Sequence, residues 1–190
     1  MQNHPPQIDE ETLAFLLQVF QIVRAGQAEE FREYLVRGLP PNLRNEKGDS
    51  LLMIASYHGH ADVVKLLLEH GADVEQANDR GQTPLAAAAF KGDIEVVRLL
   101  LDSGAEVDGS SDGGRTALMM AAMFNRTEIV DLLLDRGADI DRRDAGGHTA
   151  LTAAQIMNAP DTPEQLARAA EQRRNLPSTD QPTTQSPTQH

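Results

Sequence analysis

The sequence predicts an all-α fold, a solenoid of stacked helix-turn-helix units joined by short β-hairpin loops. The first observation is a period of 33 residues, at which a glycine, a hydroxyl residue and a leucine recur together. The three series are Gly48, Gly81, Gly114 and Gly147; Ser50, Thr83, Thr116 and Thr149; and Leu52, Leu85, Leu118 and Leu151. The second observation is an apolar helical face in every period, and the third is a glycine or asparagine between its two helices. Self-similarity at this period indicates repeats that stack to bury a shared core.

The N-terminal unit is predicted at residues 9–44, after a leader at 1–8 that we expect to be flexible. Asp9 can cap a helix whose first turn holds Glu10 and Glu11, where acidic side chains are favourable. Because this unit has lost the threonine start, and because a terminal repeat has one face in solvent, we predict an N-terminal capping repeat. Its expected apolar face comprises Leu13, Phe15, Leu16, Val19, Phe20, Ile22, Val23, Phe31, Tyr34, Leu35 and Val36.

Three full repeats are predicted at 45–77, 78–110 and 111–143. In each, an alanine-rich first helix allows neighbouring helices to approach closely. The second helix has apolar residues at i, i+1, i+4 and i+5, which form one wide helical face. These residues are Val63, Val64, Leu67 and Leu68; Val96, Val97, Leu100 and Leu101; and Ile129, Val130, Leu133 and Leu134.

The turn between paired helices gives an independent test of the register. The residues at this position are Gly26, Gly59, Gly92, Asn125 and Asn158. Glycine and asparagine are the residues that most readily adopt a positive φ. The series therefore predicts the same left-handed backbone conformation in all five units.

The fifth unit, residues 144–174, starts like the others and then becomes polar. Thr162, Pro163 and Gln165 could form a capping box at the start of its last helix. We predict a C-terminal capping repeat. Residues 175–190 are rich in Pro, Ser, Thr and Gln, so we expect a disordered tail.

The Thr-Pro-Leu start at residues 83–85 and the Leu-Leu-Leu-x-x-Gly-Ala end at 99–105 resemble the ankyrin repeat. The resemblance extends over about residues 10–172. It implies a non-enzymatic protein-binding module whose partner contacts lie on hairpin tips and on the exposed ends of the first helices. The histidine that usually follows Thr-Pro-Leu is replaced by Met53, Ala86, Met119 and Thr152, so we expect lower stability than in an idealised array.

The net charge of −12 and the lack of cysteine restrict the possible functions. Nucleic-acid binding is not expected, because phosphate affinity needs clustered Lys and Arg, and the same acidity argues against binding to anionic membranes. With neither an apparent signal peptide nor a stretch long enough to span a membrane, we expect a cytoplasmic monomer. A basic partner protein is the simplest electrostatic complement, although acidity often serves only solubility.

Three groups of residues resemble a metal site, an acid–base pair or a phosphate-binding loop, and each has a structural explanation. His58 and His60 flank a turn glycine, so their side chains should diverge rather than bind a metal together with His70. The carboxylates that recur with the period are expected to form a solvated surface stripe, not an acid–base pair. The glycine-rich stretch at 109–114 lacks the lysine of a phosphate loop. We therefore expect no enzymatic activity, no metal and no cofactor.

Candidate partner-binding residues follow from the ends of the first helices and from the hairpin tips. The ends of the first helices carry every aromatic side chain that lies outside the N-terminal unit. The rings could simply cover the neighbouring repeat, or they could form an apolar stripe along a groove that binds a partner. The set is Tyr57, His58, Asp79, Arg80, Phe90, Lys91, Asp112, Arg115, Met123, Phe124, His148 and Met157.

Two other functions remain open at this point. The chain could be a regulatory inhibitor or immunity-type protein that blocks a basic site on its partner through an acidic surface. It could also be a structural or stress-protective protein without a defined partner. Binding that is strongly salt-sensitive would favour the inhibitor, and a repeated failure to recover any stoichiometric partner would favour the structural role.

Overall fold

A computed structural model describes residues 9–110 and 113–175, and this part of the chain forms ten α-helices. The predicted leader at 1–8 and residues 176–190 of the predicted tail lie outside the described residues. The helices are α1 Glu10–Arg24, α2 Ala28–Val36, α3 Leu51–His58, α4 Ala61–Glu69, α5 Pro84–Lys91, α6 Ile94–Asp102, α7 Ala117–Met123, α8 Thr127–Asp135, α9 Ala150–Ile156 and α10 Thr162–Asn175.

The helices stack in two rows, and each helix pair contacts mainly its neighbours. The first helices α1, α3, α5, α7 and α9 pack in succession, while α2, α4, α6 and α8 form the second row. The alanines in register at Ala55, Ala88, Ala121 and Ala154 are fully buried, which explains how the first helices approach so closely. The predicted all-α solenoid is therefore confirmed.

The recurring hydroxyl residues cap the first helices. Ser50 Oγ and Thr83 Oγ1 accept hydrogen bonds from the backbone N–H groups of Met53 and Ala86, at 3.0 and 3.2 Å. Thr116 and Thr149 make the equivalent bonds. A cap of this kind satisfies an N–H group that the helix itself leaves without a partner. The hydroxyl series thus recurs because each unit begins its first helix in the same way.

The turn between paired helices adopts a left-handed conformation in all five units, as predicted. The φ angles are 72° at Gly26, 77° at Gly59 and 91° at Gly92. Asn125 and Asn158 have φ angles of 56° and 53°, and they are the two non-glycine residues with positive φ among those described. The register assigned from the sequence is therefore the structural register.

The loops that connect the units are tight turns rather than strand-bearing hairpins. Within the described residues the single β-bridge joins Arg44 and Ser50. Asn78 Oδ1 accepts hydrogen bonds from the N–H groups of Arg80 and Gln82, both at 3.0 Å, so a side chain closes the loop. Asn45 and Asp144 close their own loops in the same manner. These local bonds hold the loop tips, residues 45–49, 78–82 and 144–148.

The periodic carboxylates are not all members of a solvated stripe, and that expectation is wrong for two of them. Glu75 Oε1 accepts a hydrogen bond from Glu106 N at 2.8 Å. Asp108 accepts from Asp139 N at 3.0 and 3.1 Å through its two oxygens. Asn42, at the same register in the first unit, accepts from Asp73 N at 2.7 Å. These side chains therefore join each repeat to the next.

The N-terminal unit buries less apolar surface than the sequence suggests. Leu13 and Phe15, on the expected apolar face of α1, are 48% and 40% exposed. Val36 is 74% exposed, so the expectation that it points inward is wrong. The buried face of α1 is limited to Val19, Phe20, Ile22 and Val23.

The last helix is attached by side chains instead of starting with the expected capping box. Thr162 Oγ1 donates to the carbonyl oxygen of Ala122 at 2.7 Å, and Gln165 Nε2 donates to that of Thr127 at 3.0 Å. Both side chains thus bond across the boundary between repeats and attach α10 to the preceding unit. No helix within 9–110 and 113–175 combines the length and apolar character needed to cross a membrane.

Candidate protein-binding groove

Three aromatic side chains form a continuous ladder across three repeats. The Tyr57 and Phe90 rings are stacked, with centroids 5.4 Å apart and planes inclined by 11°. Phe124 meets Phe90 edge-on at 4.5 Å. Tyr57 is 47% exposed, whereas Phe90 and Phe124 are partly buried. We call Tyr57, Phe90 and Phe124 the aromatic ladder.

The register of the first helices produces this ladder. Tyr57 and Phe90 are 33 residues apart and each is the last residue but one of its helix, so stacking the helices stacks the rings. In the next repeat, Met123 occupies this position. It is only 9% exposed and packs in the core, so the expectation that it is accessible to a partner is wrong. Phe124, one residue later at the end of the shorter helix α7, supplies the third ring.

A groove of about 340 Å³ runs beside the ladder, between the first helices and two loop tips. Its helical wall includes Tyr57 and Phe90, and its opposite wall is formed by side chains of the tips. The lining residues are Arg24, Lys47, Asp49, Met53, Ile54, Tyr57, His58, Asn78, Arg80, Gln82, Ala87, Phe90 and Met120.

The groove continues toward the C-terminal units. A second section of about 280 Å³ shares Arg80, Gln82 and Met120 with the first. It extends to Arg115 and Asp144, whose Nε and Oδ2 atoms lie 3.7 Å apart. The two sections together are lined by residues of all five units, so an elongated ligand could contact several successive units.

Basic side chains dominate the first section of the groove. Arg24, Lys47 and Arg80 line it together with a single carboxylate, that of Asp49. The side chains of these three cations make no ion pair with any other residue in the described part of the chain. The Asp49 oxygens accept hydrogen bonds from Asn45 and Asn78, at 3.2 and 2.8 Å.

The pKa of His58, next to the ladder, is lowered. Burial lowers the pKa of His58 below its ordinary value, and the nearby charges of His60, Arg24 and Lys91 lower it further. The His58 ring packs edge-on against Tyr57 at 5.3 Å and stacks on His60 at 5.9 Å, so the expectation that the His58 and His60 side chains diverge is wrong. We therefore expect His58 to be neutral at pH 7 and to extend the ladder.

The other predicted site residues are distributed around the groove. Arg80 lines both sections, and Arg115 lines the second. Asp79 Oδ1 is 3.1 Å from Arg44 Nη2, and His148 Nδ1 is 3.1 Å from Asp144 Oδ1, so both side chains are engaged at the tips. Lys91 is exposed at the end of α5, and Met157, 45% exposed, follows α9. Asp112 lies outside the described residues.

Arg24 and Met120 are groove residues that sequence reasoning missed. Arg24 ends α1 and is 33 residues before Tyr57, so the repeat register itself was the signal that could have found it. Arg24 was not predicted as a groove residue because the first unit was interpreted only as a capping repeat. Met120 is 8% exposed and lines both sections of the groove, which depends on how the repeats stack.

Two of the three histidines considered as metal ligands instead bind backbone carbonyl groups. His60 Nε2 donates to the carbonyl oxygen of Arg24 at 2.9 Å, and His70 Nδ1 to that of Leu66 at 2.8 Å. Within residues 9–110 and 113–175, no group of three or more His, Cys, Asp or Glu side chains is arranged to hold a metal ion.

Comparison with known proteins agrees with the repeat architecture. A family model described as ankyrin repeats (3 copies) matches residues 19–111 and 108–175. The chain is 57% identical over 61 residues to a Pseudomonas aeruginosa protein, and 36% identical over 55 residues to a fowlpox virus protein. Both carry the name of an ankyrin repeat protein. The alignments cover 32% and 29% of this chain, and 36% and 7% of the lengths of the two relatives.

Proposed function

Because this chain belongs to the ankyrin repeat family, we propose that it is a non-enzymatic module that binds a partner protein in its groove. Ankyrin repeats are generally protein–protein interaction modules. The groove beside the aromatic ladder, together with the loop tips, is the surface that we assign to the partner.

The exposed face of the ladder beside the groove is the observation that supports this assignment. Tyr57 leaves about half of its side chain in solvent, although the ring is held in place by Phe90. Burying an apolar side chain of this size contributes roughly 1.5–3 kcal/mol. Rigid aromatic side chains surrounded by polar groups are typical binding hot spots, because little conformational entropy is lost when they are covered.

Quantitative affinity capture from the native host tests the assignment. The partner would be identified by mass, purified and titrated against the wild-type chain and the Tyr57→Ala, Phe90→Ala and Phe124→Ala variants. Val36→Ala is the matched control, because Val36 is exposed on α2 and does not line the groove. Circular dichroism would establish that each variant retains its helices.

We expect Tyr57→Ala to weaken partner binding at least about tenfold, which corresponds to the loss of one buried hot-spot side chain, while Val36→Ala leaves it unchanged. Equal affinity of the wild type and all three ladder variants would show that the groove is not the binding surface.

The chain-wide charge of −12 favours one second candidate, an inhibitor that blocks a basic site on its partner. Its association would be steered by long-range attraction between exposed charges, which salt screens. Measuring the affinity at low and at high ionic strength separates the two proposals. A loss of several orders of magnitude with salt favours the acidic inhibitor, whereas modest salt dependence together with sensitivity to Tyr57→Ala favours the groove.

A further inference from the structure

We propose that the occupant of the groove is an acidic peptide segment of the partner, with an apolar side chain laid against the aromatic ladder. This inference rests on the proposed function and adds the chemistry of the ligand. It runs opposite to the expectation from net charge, which favours a basic partner. The reason is that the charge lining the groove differs in sign from the charge of the whole chain.

The first section of the groove is a basic site on an acidic protein. Arg24, Lys47 and Arg80 line it against one carboxylate, whereas the chain as a whole carries a net charge of −12. Arg24 comes from α1, and Lys47 and Arg80 come from successive loop tips. Three separate segments thus bring their cations to one groove.

The carboxylates beside these cations are already engaged by other donors. Asp49 accepts from two asparagine side chains, as described above, and Asp79 is paired with Arg44 at 3.1 Å. Asp144 receives His148 Nδ1 at 3.1 Å and lies 3.7 Å from Arg115. Within the described residues neither Lys47 nor Arg80 has a carboxylate partner, so their N–H groups can bind carboxylates from outside the chain. Charge-assisted hydrogen bonds of this kind are stronger than neutral ones.

The titration of His58 agrees with a positive local potential. Burial is the main cause of its lowered pKa, and the charges of His60, Arg24 and Lys91 lower the pKa further. A cation entering the groove would meet the same repulsion, whereas a carboxylate would be attracted.

The shape of the site favours a peptide over a nucleic acid. The three cations line a groove section of about 340 Å³, which accommodates a few side chains. A nucleic acid carries its charges along a continuous backbone and needs basic residues along its path, whereas this chain as a whole carries a net charge of −12. An extended acidic peptide can place one or two carboxylates on the cations and an apolar side chain against Tyr57.

A random peptide library displayed on phage, selected against the full chain, tests this inference without a known partner. The selected peptides would be titrated against the wild type, against Lys47→Glu and Arg80→Glu, and against the ladder variant Tyr57→Ala. Matched controls are Lys65→Glu and Arg98→Glu, which make the same charge change at exposed positions on α4 and α6, outside the groove. A labelled single-stranded oligothymidine would be titrated in parallel.

We expect the selected peptides to be enriched in Asp and Glu and to contain an apolar residue. Each groove variant should weaken their binding about tenfold, because an attraction is replaced by a repulsion, and the controls should leave it within twofold of wild type.

Three outcomes would overturn the inference. Enrichment of basic or uncharged peptides that still lose binding in Tyr57→Ala would retain the groove and reject only the acidic ligand. Binding of peptides that no groove or ladder variant affects would reject the groove as well. Oligothymidine binding that is lost in Arg80→Glu would make the groove a nucleic-acid site.

Discussion

The ring of Tyr57 stacks on the ring of Phe90 across the boundary between two repeats, at 5.4 Å and nearly parallel. Phe90 is in turn covered edge-on by Phe124, so the middle ring has two aromatic neighbours. The sequence left open whether these rings cover the adjacent repeat or face a partner. The structure shows that they cover one another, while Tyr57 remains 47% exposed.

A double-mutant cycle would measure this stacking. We expect Tyr57→Ala and Phe90→Ala to show a coupling of about 0.5–1.5 kcal/mol in the free energy of unfolding, as for aromatic pairs in contact. The measurement is urea denaturation of the four chains. Phe15, whose ring contacts Tyr34, is the control: Tyr57→Ala and Phe15→Ala should add within about 0.5 kcal/mol. Additivity in the Tyr57–Phe90 cycle would contradict the stacking.

The Asp108 carboxylate should contribute to stability, in contrast to other acidic residues at the surface. Asp108→Ala removes the acceptor of the Asp139 N–H group, so we expect the free energy of unfolding to fall by about 1–2 kcal/mol. Asp141 is exposed and its side chain makes no hydrogen bond within the described residues. Asp141→Ala should therefore change stability by less than about 0.5 kcal/mol. Equal effects would show that Asp108 is only a surface charge.

Asn125 should matter for its side chain as well as for its backbone. Its Oδ1 accepts from Asp161 N and Thr162 N at 3.0 and 3.1 Å, and its Nδ2 donates to Asp161 Oδ2 at 2.8 Å. Asn125→Gly keeps the positive φ but loses these bonds, so we expect a loss of about 1–3 kcal/mol. Hydrogen exchange of α10 should accelerate.

Asn158→Gly is the control for that prediction. Asn158 has nearly the same φ, and its side chain makes no hydrogen bond in the described part of the chain. We expect Asn158→Gly to change the free energy of unfolding by less than about 0.5 kcal/mol. If the two glycine variants behave alike, the bonds from Asn125 do not hold α10.

His58 should titrate below its ordinary value of 6.5, as measured by NMR of the imidazole resonances. Arg24→Gln and Lys91→Gln should each raise the pKa of His58, because each removes a positive charge. The pKa should nevertheless stay below 6.5, since burial is the largest cause of the shift. A pKa of His58 that neither variant moves would contradict a positive potential at this end of the groove.

The sign of the linked effect on stability follows from the lowered pKa. Between the folded-state pKa and 6.5, the unfolded chain binds more protons at this position than the folded chain. The free energy of unfolding should therefore fall as the pH drops through 6.5 toward the folded-state value. His58→Gln should reduce this acid sensitivity, as measured by urea denaturation across that range.

Periodicity was sufficient to predict the architecture because every unit must start its helices and reverse the chain in the same way. Thr83 and its equivalents start a helix, and Asn125 and its equivalents reverse the chain with a positive φ. These requirements act within one repeat, so residues close in sequence specify them. The aromatic ladder could also be anticipated, since Tyr57 and Phe90 share a register.

Interactions between repeats could not be deduced in the same way. Whether Met123 points inward and Phe124 outward depends on where α7 ends against its neighbours. The roles of Glu75 and Asp108 depend on a backbone N–H group 31 residues away that only stacking brings within reach.

The sequence by itself determined the repeat, its register, its caps and its turns, because these depend on the conformational preferences of individual residues. Only the tertiary structure decided which charges surround the groove. Arg24, Lys47 and Arg80 are far apart in the chain and are outnumbered by acidic residues, and stacking the first three units brings them together. The net charge of a chain is a sum over residues, whereas the charge that a ligand meets depends on which residues share a surface.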